Sequence, residues 1–155
     1  MLLDLMQNVV SKVSEDVGFN VRFMYGSTLS VVNEITLLRR RMEVYPAIIL
    51  FQEGIIETDK RYWYEYDIPK MAIATTTKYD LTDMQRINTT FQNVIYPIFD
   101  SFQKQLRIID LNYELLLNRT DIPFYHETQN TNNFNQLVDG CIIRRFVLKE
   151  EKNRC

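Results

Sequence analysis

One histidine, His126, is the only imidazole in the chain. It excludes His-pair metal sites and leaves a single candidate general base. Tyr125 and Glu127 flank it in a polar stretch, but no motif ties a nucleophile to it. A solvated loop histidine is therefore the better reading. Glu65 and Asp67 share one face of any strand that holds them, and with Asp80 or Asp83 they could bind a divalent cation. Alternating carboxylates on an exposed strand face are far commoner, and no metal is expected. The 4 glycines are not clustered, which excludes a phosphate- or dinucleotide-binding loop, and no cofactor is expected. The 2 cysteines make neither a zinc site nor a disulfide framework. Cys141 lies in an apolar run and reads as a small core residue, Cys155 as a thiol at the chain end. No catalytic residue is assigned, and the chain does not read as an enzyme.

Two further clusters have chemical character. Arg39, Arg40 and Arg41 form a basic run, read as the solvated end of a helix, where cations are favoured. Tyr62, Trp63, Tyr64 and Tyr66 could stack on nucleic-acid bases, but only Lys60 and Arg61 interleave them with positive charge. Packing in a core or a subunit interface is the better reading. Successive strand residues point to opposite faces. A helix layer on one side would bury Trp63 and leave Tyr62, Tyr64 and Tyr66 together on the other, a ladder suited to a subunit contact. The net charge of −2 gives no general attraction to polyanions.

These residues need a scaffold. At 155 residues, 46% of them hydrophobic and 25% charged, the chain fits one globular domain over residues 1–149 with a charged tail, 150–155. The start MLLDLMQ lacks the basic residues of a secretory leader, and no apolar run approaches the ~20 residues that span a bilayer. A reducing compartment and no membrane contact are expected. The sequons at Asn88 and Asn118 carry no weight in that setting.

The stretch that organises the rest is 82–106. Met84, Ile87, Phe91, Val94, Ile95, Ile98, Phe102 and Leu106 recur every three or four residues, the period of a helix with one buried face. Thr82 and Gln85 make a capping box, and Pro97 predicts a kink. A first helix is predicted over 2–17, closed by Gly18. Residues 19–25 alternate as a half-buried strand, and 29–42 favour a helix. Residues 46–51 form a central apolar strand and 54–61 a projecting hairpin tip. Residues 62–77 form one strand or two, with Pro69 at a bulge, edge or break. The stretch 108–117 fits helix or strand, 118–135 reads as a polar loop, and 141–149 as the last strand. The fold class is α+β: a mainly antiparallel sheet with the N-terminal helix and the long helix on one face.

In order and character the chain resembles the small α+β proteins at the head–tail junction of tailed bacteriophages, especially the tail-terminator or tail-completion group. The likeness runs from Met1 to Lys149. It comprises an N-terminal helix, an early strand, a strand opening YPAIIL, a projecting loop and a strand ending IATTT. The helix TDMQRINTTFQNVIYPIFDSF and a final strand after LVDGCIIRRFVL complete it. The polar segment 118–135 departs from that group's compact plan. The resemblance implies a structural virion component that forms a homo-oligomeric ring of six or twelve copies at the junction or tail, assembled in the host cytoplasm. It also implies contacts with portal, connector or tail-tube proteins and DNA passing non-specifically through the channel. The alternative is a non-viral protein-interaction or adaptor module.

Overall fold

A computed structural model of the chain describes residues 2–38, 44–77, 80–109, 118–122 and 138–152. The first helix, α1 (Leu2–Val17), buries Met6, Val9, Val10 and Val13, one face at helical spacing. It stops at Gly18, whose φ of 80° is open to glycine without a side-chain clash. β1 (Arg22–Gly26) leads into α2 (Thr28–Leu38), with Ser27 Oγ accepting the Ser30 amide at 3.2 Å. The Glu53 carboxylate accepts the Thr28 amide at 2.6 Å. Burial pushes that carboxyl upward, but the hydrogen bonds outweigh it and hold it below the ordinary range.

β2 (Ala47–Phe51), β3 (Ile56–Asp59), β4 (Trp63–Thr76), β5 (Asn118–Ile122) and β6 (Val138–Glu151) complete a six-stranded sheet of order β1-β2-β4-β6-β5, with β3 beside β4. β1 and β2 are parallel, joined through α2, and every other pairing is antiparallel. Every residue of β2 is buried, as its uninterrupted apolar run requires.

The sheet has a core on each side. α1 and the long helix cover one face through Val9, Val13, Ile98 and Phe102 against Ile48, Leu50, Met71, Ile73, Cys141 and Ile143. On the opposite face Val31, Val32 and Ile35 of α2 meet Met24, Ile49, Ala72, Ala74 and Ile142. The α+β class and the shared face of the N-terminal and long helices are as the sequence predicts; α2 adds a layer behind.

The long helix begins at the predicted capping box. Thr82 Oγ1 accepts the Gln85 amide at 3.3 Å, and Gln85 Oε1 accepts the Thr82 amide at 2.8 Å. The helix comprises α-helical Asp83–Arg86, π-helical Ile87–Ile95 and α-helical Tyr96–Ile109. Where the sequence predicts a kink at Pro97, the helix runs on through the proline and a π-helical run ends at Ile95, two residues before it. Bonds from residue i to i+5, as between the Phe91 carbonyl and the Tyr96 amide, bring residues five apart onto one face. The buried positions are Arg86, Phe91 and Ile95 in the first half and Ile98, Phe99, Ser101, Phe102, Gln105 and Leu106 in the second. Met84 is 66% exposed and Ile87 38%, so both leave the buried face that α spacing assigns them.

Two boundaries are corrected. The predicted tail from 150 is still sheet: β6 pairs Glu150 with Tyr64 and Glu151 with Trp63, and the Lys152 amide bonds the Tyr62 carbonyl at 2.9 Å. The predicted loop 118–135 begins with β5. That strand is held to the long helix by the Tyr96 hydroxyl, which donates to Asp121 at 2.7 Å, and by Arg119, whose guanidinium lies 4.5 Å from the Tyr96 ring centre. Residues 110–117, on which helix and strand were both open, lie outside the described residues.

Candidate functional site

Trp63, Tyr64 and Tyr66 occupy the N-terminal end of β4, between β3 and the C-terminal end of β6, and Tyr62 immediately precedes the strand. The faces are the reverse of those predicted. Tyr64 and Tyr66 point to the helix-covered side with Leu148, and Trp63 points away from it. The cause lies at Pro69, which can give the ladder no amide. The β4–β6 register skips the Pro69–Arg145 pair, and Arg145 adopts a φ of 45°. Core-facing residues are Met71 and Ile73 beyond that point but Tyr66 and Ile68 before it. On β6 they change likewise from Cys141 and Ile143 to Phe146 and Leu148. Counting alternate residues through the proline gives the wrong face.

Burial then decreases along the tyrosine ladder. Tyr66 is 2% exposed and its hydroxyl donates to Glu150 Oε2 at 2.9 Å. Burial, with that carboxylate beside it, raises the phenol above its ordinary range. Tyr64 is half-buried, with the Lys152 ammonium 4.7 Å from its ring centre. Tyr62 is 50% exposed, and the Arg61 guanidinium lies 5.1 Å from its ring centre. Lys152 also pairs with Asp59, fastening the end of β3 to the end of β6. On the other face half-buried Trp63 donates its indole N–H to Glu65 Oε2 at 3.4 Å. The result is a three-stranded sheet end with aromatic surface on both faces. Its polar groups pair with one another: the Tyr66 hydroxyl with Glu150, Lys152 with Asp59 and the Trp63 indole with Glu65.

The other candidates are not brought together. Glu65 and Asp67 do share a face, but Asp67 meets Arg145 at 3.4 Å, and Asp83 meets Arg86 at 3.2 Å on the long helix. Among the described residues no group of three or more His, Cys, Asp or Glu is placed to hold a metal ion. His126, Tyr125, Glu127, the run Arg39–Arg41 and Cys155 lie outside the described residues, as does Tyr79 beside Asp80. Cys141 is buried, and burial pushes its thiol up to about 12, which suppresses the reactive thiolate.

Sequence reasoning missed one cluster. Arg86, 2% exposed, extends toward Asp139, which is fully buried, with Nε 3.6 Å from Oδ1. Thr90 Oγ1 lies 2.6 Å from Asp139 Oδ2 and 2.9 Å from the Arg86 carbonyl oxygen. The available signal was Asp139 itself, a carboxylate within the apolar run LVDGCII, since a buried charge needs a partner. No protein-family model matches the chain, and no curated protein matches its sequence.

Proposed function

We propose that the chain is a structural, non-enzymatic virion component of a bacteriophage head–tail connector or tail. In this reading it is a tail-terminator-like subunit that closes with copies of itself into a ring around the DNA channel. The observation that carries the reading is the aromatic end of the β3–β4–β6 sheet, with Tyr64 on one face, Trp63 on the other and half-exposed Tyr62 immediately before the strand. A cyclic ring is built by a heterologous contact, in which one patch meets a different patch on the next copy. A sheet end with usable surface on both faces suits that geometry. Its rim mixes Lys60 and Arg61 with Glu57 and Asp59, which favours a near-neutral second copy of this chain over a polyanion. The net charge of −2 also suits a wall past which DNA slides, since a strongly basic lumen would grip the backbone. If the resemblance of the sequence to the phage group holds, portal, connector or tail-tube proteins are the expected neighbours.

Negative-stain electron microscopy and sedimentation of the full chain over a wide concentration range test this. Closed rings of six or twelve copies with a central channel are expected. A chain that stays monomeric up to its solubility limit would set the ring aside in favour of a non-viral interaction module, whose aromatic end receives a different protein.

A further inference from the structure

The first half of the long helix shows a conflict between its sequence and its register. Met84, Ile87, Phe91 and Val94 are spaced for one face of an α-helix, yet Ile87–Ile95 is π-helical, Met84 and Ile87 are exposed, and Arg86 is buried in their place. Runs of i→i+5 bonding are rare and usually confined to a single turn, so a run of 9 residues needs something to hold it. The groups placed to do so converge on Asp139. The Arg86 guanidinium reaches its Oδ1 at 3.6 Å, and the Thr90 hydroxyl reaches its Oδ2 at 2.6 Å. Arg86 and Thr90, four residues apart, share a face in either register, but only the wider π turn lets both face β6 while Phe91 stays fully buried. In the α register Arg86 would be turned away from Phe91, and Ile87 would take its place.

We propose that Arg86, Thr90 and Asp139 form a latch that holds this half of the helix in the π register. Without the latch the segment returns to the α register for which its apolar residues are spaced, carrying Ile87 inward and Arg86 outward. The helix is thus a two-position element, and Asp139 on β6 sets which ridge the protein presents at the start of the helix. The exposed Met84–Ile87 ridge belongs to the latched state.

Thiol labelling in an Ile87→Cys background tests the latch, with labelled positions mapped by mass spectrometry and buried Cys141 as the internal report on folding. Removing Arg86 alone would strand a buried carboxylate, so the variant is Arg86→Gln/Asp139→Ala, which removes both charges without giving the π face a new large apolar residue. Thr90→Val is the second, near-isosteric variant. Labelling at residue 87 is expected to fall about tenfold or more in the double variant, because thiol reactivity follows exposure, and to fall by less in Thr90→Val. A rate that is unchanged or higher in both variants overturns the latch. So does labelling of Cys141 in the double variant, because the pair would then be holding the fold together and not setting a helix register.

Discussion

Pro69 stands opposite Arg145 at the one skipped pair of the β4–β6 ladder, and both strands turn over there. Arg145 meets the turn with a φ of 45°, a conformation that costs a residue with a Cβ about 1–2 kcal/mol. Its guanidinium contact to Asp67, at 3.4 Å with the arginine side chain largely exposed, returns little of that. Arg145→Gly is therefore expected to stabilise the protein by about 0.5–1 kcal/mol, and Arg145→Val to destabilise it by about 1–3 kcal/mol. Urea unfolding with unchanged m-values checks both. A destabilising glycine would mean that the arginine side chain, and not the backbone turn, is what the site requires.

The revised helix face makes a second, opposite pair of expectations. Phe91 is fully buried, and Phe91→Ala should cost about 3–5 kcal/mol. Met84→Ser, at a residue the α pattern places on the same face, should change stability by less than about 0.5 kcal/mol. Equal losses in equilibrium unfolding would restore the α-helical face and remove the π register.

The sequence made the elements legible wherever one period held without interruption. α1, β2 and the Thr82–Gln85 capping box follow from spacing and cap chemistry alone. It failed where the period itself changed. Nothing local to Ile87–Ile95 announces i→i+5 bonding; the proposed partner that holds that register, Asp139, is remote in the chain, so nothing beside Arg86 in the sequence marks it as buried. Pro69 was legible as an interruption, but its effect on Trp63, Tyr64 and Tyr66 depends on Arg145 in the partner strand. The aromatic cluster could be read from composition, whereas its faces could not.

Asp16 joins α1 to the long helix and gives the fold a pH-dependent tie. The Lys104 ammonium at 2.9 Å and the Ser101 hydroxyl at 2.7 Å hold its carboxyl below the ordinary value of 3.8. A carboxyl lowered on folding stabilises the native state above its unfolded pKa, and that contribution is lost as pH falls through the lower, native value. Thermal unfolding of the wild type should show this loss on the acid side of 3.8, and Asp16→Asn should flatten the dependence there while lowering stability at neutral pH. Identical pH profiles for the two proteins would mean that Lys104 and Ser101 gain nothing from the charge. The pair is largely exposed, so salt should weaken the neutral-pH difference.

Assembly should separate the aromatic residues by burial. Tyr66 lies in the core and is hydrogen-bonded to Glu150, so Tyr66→Ser removes a buried ring and should cost about 3–5 kcal/mol of stability. Tyr62 is half exposed and Trp63 lies on the other face of the sheet end. Tyr62→Ser/Trp63→Ser should leave the fold within about 1 kcal/mol of wild type, because neither ring fills the main core. If these residues form the contact between copies, the same double variant should lose the ring, since aromatic anchors carry a disproportionate share of interface energy. Circular dichroism reports the first property and sedimentation the second. A folded double variant that still forms rings would move the contact away from the sheet end. The contact would then be sought at the Met84–Ile87 ridge, where two large apolar side chains stand exposed one helical turn apart.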